Sequence, residues 1–239
     1  MKQRAKEVLM RVKKAYPDAS CALIHNSALQ LLVATILSAQ CTDERVNKVT
    51  PPLFKRYKTA RDFAEADILE LEKFIHSTGF YHNKAKNIKG AAQKIVSDFN
   101  GKVPNNMDEL LTLPGVARKT ANVVLGVWFK INAGIVVDTH VGRVSNRLGL
   151  SKHKTAPKIE SDLVKLIPQP DWEYFSLAII QLGRKICESR KPKCEVCFLN
   201  DICPSAFKVL AKPTKLKPVE TKRKKAPLQK LSPKKQGRR

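Results

Sequence analysis

Leu110-Leu111-Thr112-Leu113-Pro114-Gly115-Val116-Ala117-Arg118-Lys119-Thr120-Ala121-Asn122-Val123-Val124-Leu125 reads as two short helices joined by a tight turn. An apolar helix runs into Pro114-Gly115, and a second helix begins at once. In that second helix Ala117, Ala121, Val124, Leu125 and Trp128 fall on one face at helical spacing. The small Ala117 and Ala121 let another helix approach closely, while Arg118 and Lys119 face elsewhere. Gly115 leaves the hairpin backbone open, and the first N–H groups of the second helix have no partner within the helix. Such a terminus suits a phosphate and does not read base sequence. On pattern alone, a helical hairpin packed into a core explains the segment equally well.

Outward from this hairpin, helical periodicity dominates. Apolar residues recur at three- and four-residue steps over 2–15, 27–40, 66–76, 84–98, 107–113, 117–129, 141–149, 156–167 and 172–186. Pro51-Pro52, Asn100-Gly101, Pro104, Pro114-Gly115 and Pro168 punctuate them. The one strand-like run, Ile135-Val136-Val137, is too short for a sheet. The fold class is therefore all-α, with no long-period repeat. The 239 residues, 43% of them hydrophobic, suffice for one sizeable core or two small ones packed together.

The chain is strongly basic, with 45 Lys+Arg against 21 Asp+Glu and a formal charge of +24. Nucleic acid is the first partner such a charge suggests, with an anionic membrane as competitor. No apolar run reaches the roughly 18 residues of a spanning helix. Met1 to Ser20 is charged and helical in pattern, without the apolar region of a signal peptide. A soluble, cytoplasmic monomer is the expectation. Residues 212–239 hold twelve Lys/Arg and a single acid, Glu220, with Pro213, Pro218, Pro227 and Pro233 recurring. This composition is that of a disordered basic tail.

Four of the six cysteines crowd together as Cys187-x6-Cys194-x2-Cys197-x5-Cys203. In a reducing compartment this is a metal site rather than a disulfide framework. Four thiolates in one loop can hold either zinc or an iron–sulfur cluster, and the spacing leaves both open. Arg190, Lys191 and Lys193 lie within the loop, which suits phosphate contacts. Cys21 and Cys41 read as buried thiols.

Leu113 to Leu125 resembles the helix–hairpin–helix of the endonuclease III family, and Val137-Asp138-Thr139-His140-Val141 resembles that family's downstream aspartate segment. The resemblance extends over about residues 1–207. It implies a helix–hairpin–helix DNA glycosylase fold of two helical lobes. Residues 22–131 would form one, 1–21 with 132–208 the other, and 209–239 the tail. It implies a [4Fe–4S] cluster on Cys187, Cys194, Cys197 and Cys203. The partner would be double-stranded DNA carrying damaged bases, oxidised pyrimidines above all, or abasic sites. The resemblance further implies that Lys119 is a nucleophile and Asp138 its partner. Gln40 would enter the space left by an extruded base, and Phe80 would wedge the opposite strand. Two departures are visible. Ala117 stands where the family usually has a second glycine, and Phe80 where leucine is common.

The residue types fit that chemistry. A neutral lysine amine can attack C1′ of a damaged nucleoside, displace the base and form a Schiff base, after which β-elimination cuts the strand on the 3′ side. In the first turn of a helix, the positive end of the dipole disfavours ammonium, and Arg118 beside Lys119 is expected to act in the same sense. Asp138 follows an apolar run and is expected to cap the next helix. There its carboxylate can offset positive charge on the sugar and assist proton transfer. The rivals are a monofunctional glycosylase, which would lack Lys119, and a non-catalytic DNA-binding module, which would need neither Lys119 nor Asp138.

Overall fold

Residues 1–208 are described by the computed structural model, and the basic tail lies outside the described residues. Among the described residues eleven α-helices are formed. In chain order they are α1 (Lys2–Ala15), α2 (Ala28–Leu37), α3 (Asp43–Arg56), α4 (Ala60–Glu65), α5 (Ile68–Ile75) and α6 (Tyr81–Asp98). After these come α7 (Met107–Leu111), α8 (Arg118–Val123), α9 (Thr139–Arg147), α10 (Ala156–Leu163) and α11 (Trp172–Lys185). The described residues contain no strand, and Ile135 to Val137 runs extended without a sheet partner among them.

Most helix starts are written locally. Ser27, Thr42, Asp67, Asn106 and Asp138 each accept a backbone N–H from the first turn of the helix that follows. Thr59 and Asp62 form a reciprocal capping box at α4.

Pro51-Pro52 does not punctuate the chain as expected, because both prolines lie inside α3. Proline removes a helical N–H and crowds the preceding turn. Here both rings point to solvent, while Val46, Val49 and Leu53 bury the opposite face. Each such side chain contributes about 1.5–3 kcal/mol by leaving water, which offsets a local penalty of about 3 kcal/mol per interior proline.

Two separate apolar cores result. One is built by α2 to α8, with Leu31, Leu37, Leu53, Phe63, Ile88, Leu110 and Val124 at its centre. The other joins α1 to α9, α10 and α11 through Val8, Val12, Val141, Leu163, Phe175 and Ile179. The chain passes from the second core to the first between Ala19 and Cys21 and returns between Ala133 and Ile135, and Lys119 of α8 and Asp138 at the start of α9 line one cleft between them.

Candidate active site

The hairpin forms between α7 and α8. Gly115 has φ +75°, and a Cβ there would stand 2.7 Å from the Asn87 side chain, so both conformation and space select glycine. Val116 N–H donates to Leu113 O at 3.1 Å and closes the turn. Ala117 is the N-cap of α8 in extended conformation, φ −93°. The expectation that this position is already helical is corrected, but alanine remains unstrained because φ is negative. Having no side-chain oxygen, Ala117 makes no capping bond. The first N–H groups of α8 therefore remain directed outward beside the exposed Lys119.

Asp138 caps α9. Its Oδ1 accepts the N–H groups of His140 and Val141, both at 2.8 Å, and among the described residues no bond goes to Oδ2. Lys119 and Asp138 line one cleft of about 160 Å³ at the seam between the cores, with Asn122, Val136, Ser176 and Glu173. Burial pushes the Glu173 carboxyl above the usual range, and Lys130 opposes it weakly from 3.9 Å. Ser176 Oγ accepts the Val136 N–H at 3.0 Å, which fixes the approach to Asp138.

Arg118, adjacent to Lys119 in the chain, is paired across the seam. Its Nε and Nη2 donate to Glu160 of α10 at 3.0 and 3.1 Å, so its charge is compensated across the seam. Asn122 Nδ2 joins the same carboxylate at 3.2 Å, while its Oδ1, buried, has no partner among the described residues. Gly134 passes so close that a Cβ would clash with Glu160 and Asn122. At the cleft mouth, Arg184 donates to Asp43 at 2.7 Å, again linking the two cores. None of these cross-seam pairs is visible as a local motif.

Gln40 and Phe80 sit at two turn tips. Both are non-glycine residues with left-handed backbone, φ 53° and 49°, and both are exposed, Phe80 by 64%. Such conformations cost of order 1 kcal/mol or more and are held only where the surroundings impose them.

The four clustered cysteines follow α11. None is in a disulfide, and all four line a common pocket walled by Leu148, Leu182, Ile186 and Leu199. Burial chiefly pushes the Cys197 thiol up, and each of the other three cysteines adds to it, so the four are mutual neighbours. The donor set, all thiol in an apolar pocket, fits an iron–sulfur cluster.

Two arginines one turn apart on α9 hold this loop. Arg143 donates to Cys187 O at 3.1 and 3.0 Å, and Arg147 to Glu188 O at 2.6 Å, Ser189 O at 2.7 Å and Cys187 Sγ at 3.3 Å. Their i, i+4 spacing directly after Asp138 is the signal that could have found them. Arg190, Lys191 and Lys193 are exposed on the loop, though Lys193 also pairs with Glu188 at 2.8 Å.

Comparison with known proteins agrees with this arrangement. Residues 33–169 match the family model of the HhH-GPD superfamily base excision DNA repair protein, and residues 187–203 match the iron-sulfur binding domain of endonuclease III. The chain is 63% identical over 205 residues to endonuclease III from Synechocystis sp., covering 86% of this chain and 94% of that one. A solved non-covalent endonuclease III–DNA complex superposes with a TM-score of 0.85 at 43% identity, covering 89% of this chain and 99% of that one. A trapped endonuclease III–DNA covalent intermediate gives 0.83 at 43% identity, covering 87% and 98%. By the residues matched and the share of each chain covered, this chain belongs to the endonuclease III family, the iron–sulfur branch of the HhH-GPD base-excision repair superfamily.

Proposed function

We propose that this chain is a bifunctional DNA glycosylase and abasic-site lyase of base-excision repair, acting on oxidised pyrimidines in duplex DNA. The observation that carries the reading is one cleft lined by both Lys119 and Asp138, at the seam of two helical lobes. Those lobes correspond to 22–131 and to 1–21 with 132–208. The outward N–H groups around Gly115 and Ala117 bind a phosphate of the damaged strand and bring the sugar to Lys119. Gln40 enters the space vacated by the extruded nucleotide, and Phe80 wedges the opposite strand. Arg190, Lys191 and Lys193 bind flanking phosphates.

In the cleft, Lys119 Nζ gives up a proton and donates its lone pair to C1′, and the C1′–N bond breaks with its electrons leaving on the base. Loss of a proton from Nζ and opening of the sugar ring give the Schiff base. Removal of a C2′ proton then expels the 3′ phosphate by β-elimination, and water releases the lysine. Asp138 keeps Oδ2 for this chemistry while Oδ1 caps α9. Its charge offsets positive charge developing at C1′, and the carboxylate relays the protons that Nζ gives up. The [4Fe–4S] cluster, held by Cys187, Cys194, Cys197 and Cys203, supplies a covalent pin for the basic loop.

The test is borohydride trapping and strand cleavage with purified protein on duplexes carrying one oxidised pyrimidine, one alkylated purine or one abasic site. A trapped complex and 3′-side cleavage are expected with the oxidised pyrimidine and the abasic site. Base release without trapping would make the chain a monofunctional glycosylase. Trapping on abasic DNA alone would remove the assigned lesion class.

A further inference from the structure

Lys84 is a lysine with 4% of its surface exposed, an unusual place for an ammonium group. It lies one turn into α6, and its side chain runs inward under two loops. Its Nζ donates to Leu37 O at 2.8 Å and to Thr78 O at 2.9 Å. Leu37 ends α2, three residues before Gln40, and Thr78 lies two residues before Phe80. One buried amine is thus bonded to the stems of both left-handed tips.

We propose that Lys84 is a positioning residue for base extrusion, a tether that fixes the Gln40 tip and the Phe80 tip relative to each other so that both enter the duplex together. This rests on the assignment of Gln40 and Phe80 to the DNA. Each tip is strained, and a strained turn keeps its geometry only if its stem cannot relax. The α2 end offers carbonyl groups with no helical partner and the negative end of the helix dipole, to which an ammonium is complementary. A hydrophobic residue of the same length would fill the space but leave both carbonyls unpaired and the two stems independent. Burial lowers the Lys84 pKa, and the neutral amine still has two N–H donors for the same two carbonyls. The tether therefore does not depend on the charge.

The experiment compares wild type, Lys84→Met, the Gln40→Ala/Phe80→Ala double variant and the triple variant, all cluster-loaded. Single-turnover excision is measured on a duplex lesion with 2-aminopurine beside it to report extrusion. Borohydride trapping is measured on a single-stranded abasic oligonucleotide, which needs no extrusion. Lys84→Met is expected to slow extrusion and duplex excision by about 10–100-fold, the effect of misplacing a positioning group by about 1 Å. Trapping on the single strand should stay at the wild-type level, and adding Lys84→Met to the double variant should cost little more. Equal losses on both substrates would make Lys84 a general structural residue, and undiminished extrusion would overturn the tether. If the double variant leaves extrusion intact, the assignment of the tips fails and the tether falls with it. Should Lys84→Met not fold, Lys84→Gln, which keeps one donor group, replaces it with an intermediate loss expected.

Discussion

Asp138 is assigned two tasks, capping and chemistry, and its two oxygens allow them to be separated. Oδ1 accepts two N–H groups at 2.8 Å each, charge-assisted bonds that are stronger than neutral ones. Asp138→Asn keeps an oxygen in that position, since asparagine caps as well as aspartate. It loses only the charge at the helix start, about 0.3–1 kcal/mol. Asp138→Ala loses the cap as well, a further 0.5–2 kcal/mol or about 1–8 °C in melting temperature for a chain of this size. Neither loss approaches the whole stability of a domain, about 5–15 kcal/mol, so both variants remain folded at 25 °C. For the chemistry the order changes. Both variants remove the charge facing the sugar, which is expected to lower excision by about 10²–10³-fold. The assay is single-turnover excision on a duplex lesion beside thermal melting of each variant. Asn and Ala should be nearly equal in rate and clearly different in melting temperature. Wild-type excision by Asp138→Asn would reduce Asp138 to a helix cap. Rates that follow the melting temperatures would show the loss to be structural.

Lys119→Gln should abolish borohydride trapping while DNA binding and melting temperature are retained, because the side chain is exposed; wild-type trapping would move the nucleophile to another amine. Glu160→Ala removes the acceptor of Arg118 and of the buried Asn122, with a cost of about 2–4 kcal/mol after allowing for re-solvation of the half-exposed arginine. A change in denaturation midpoint worth under about 0.5 kcal/mol, the range of ordinary surface substitutions, would mean that the cross-seam cluster does not hold the lobes. The Glu173 carboxyl is raised by burial, so its stabilising share is full below the ordinary glutamate range and is lost as pH rises through the folded value. Glu173→Gln should therefore gain melting temperature over wild type at about pH 8 and much less at about pH 5, and a gain independent of pH would refute that cause. Deleting 212–239, with its twelve basic residues, should flatten the salt dependence of nonspecific DNA binding while trapping persists at saturating DNA. An unchanged salt slope would separate the tail from the DNA.

What was legible in the sequence shares one property: it is decided over a few residues. Helical periodicity, the Pro114-Gly115 turn, the N-cap role of Asp138 and the four-cysteine spacing depend on local dihedrals, capping bonds and short ligand loops. Gln40 and Phe80 were singled out only through the family resemblance, and their left-handed backbone was not legible in the sequence. The misreadings were local rules overridden from a distance. Pro51-Pro52 continues a helix because Val46, Val49 and Leu53 are buried against a core that the pattern of prolines does not contain. Arg118 pairs with Glu160, 42 residues away, because a guanidinium beside a buried carboxylate satisfies both groups at once. Lys84 reaches Leu37 across 47 residues, and Arg184 reaches Asp43 across 141. Spacing along the chain says nothing about such pairs. Packing two cores against each other brings them together, and a polar group taken out of water must then find whatever partner the fold has placed within reach.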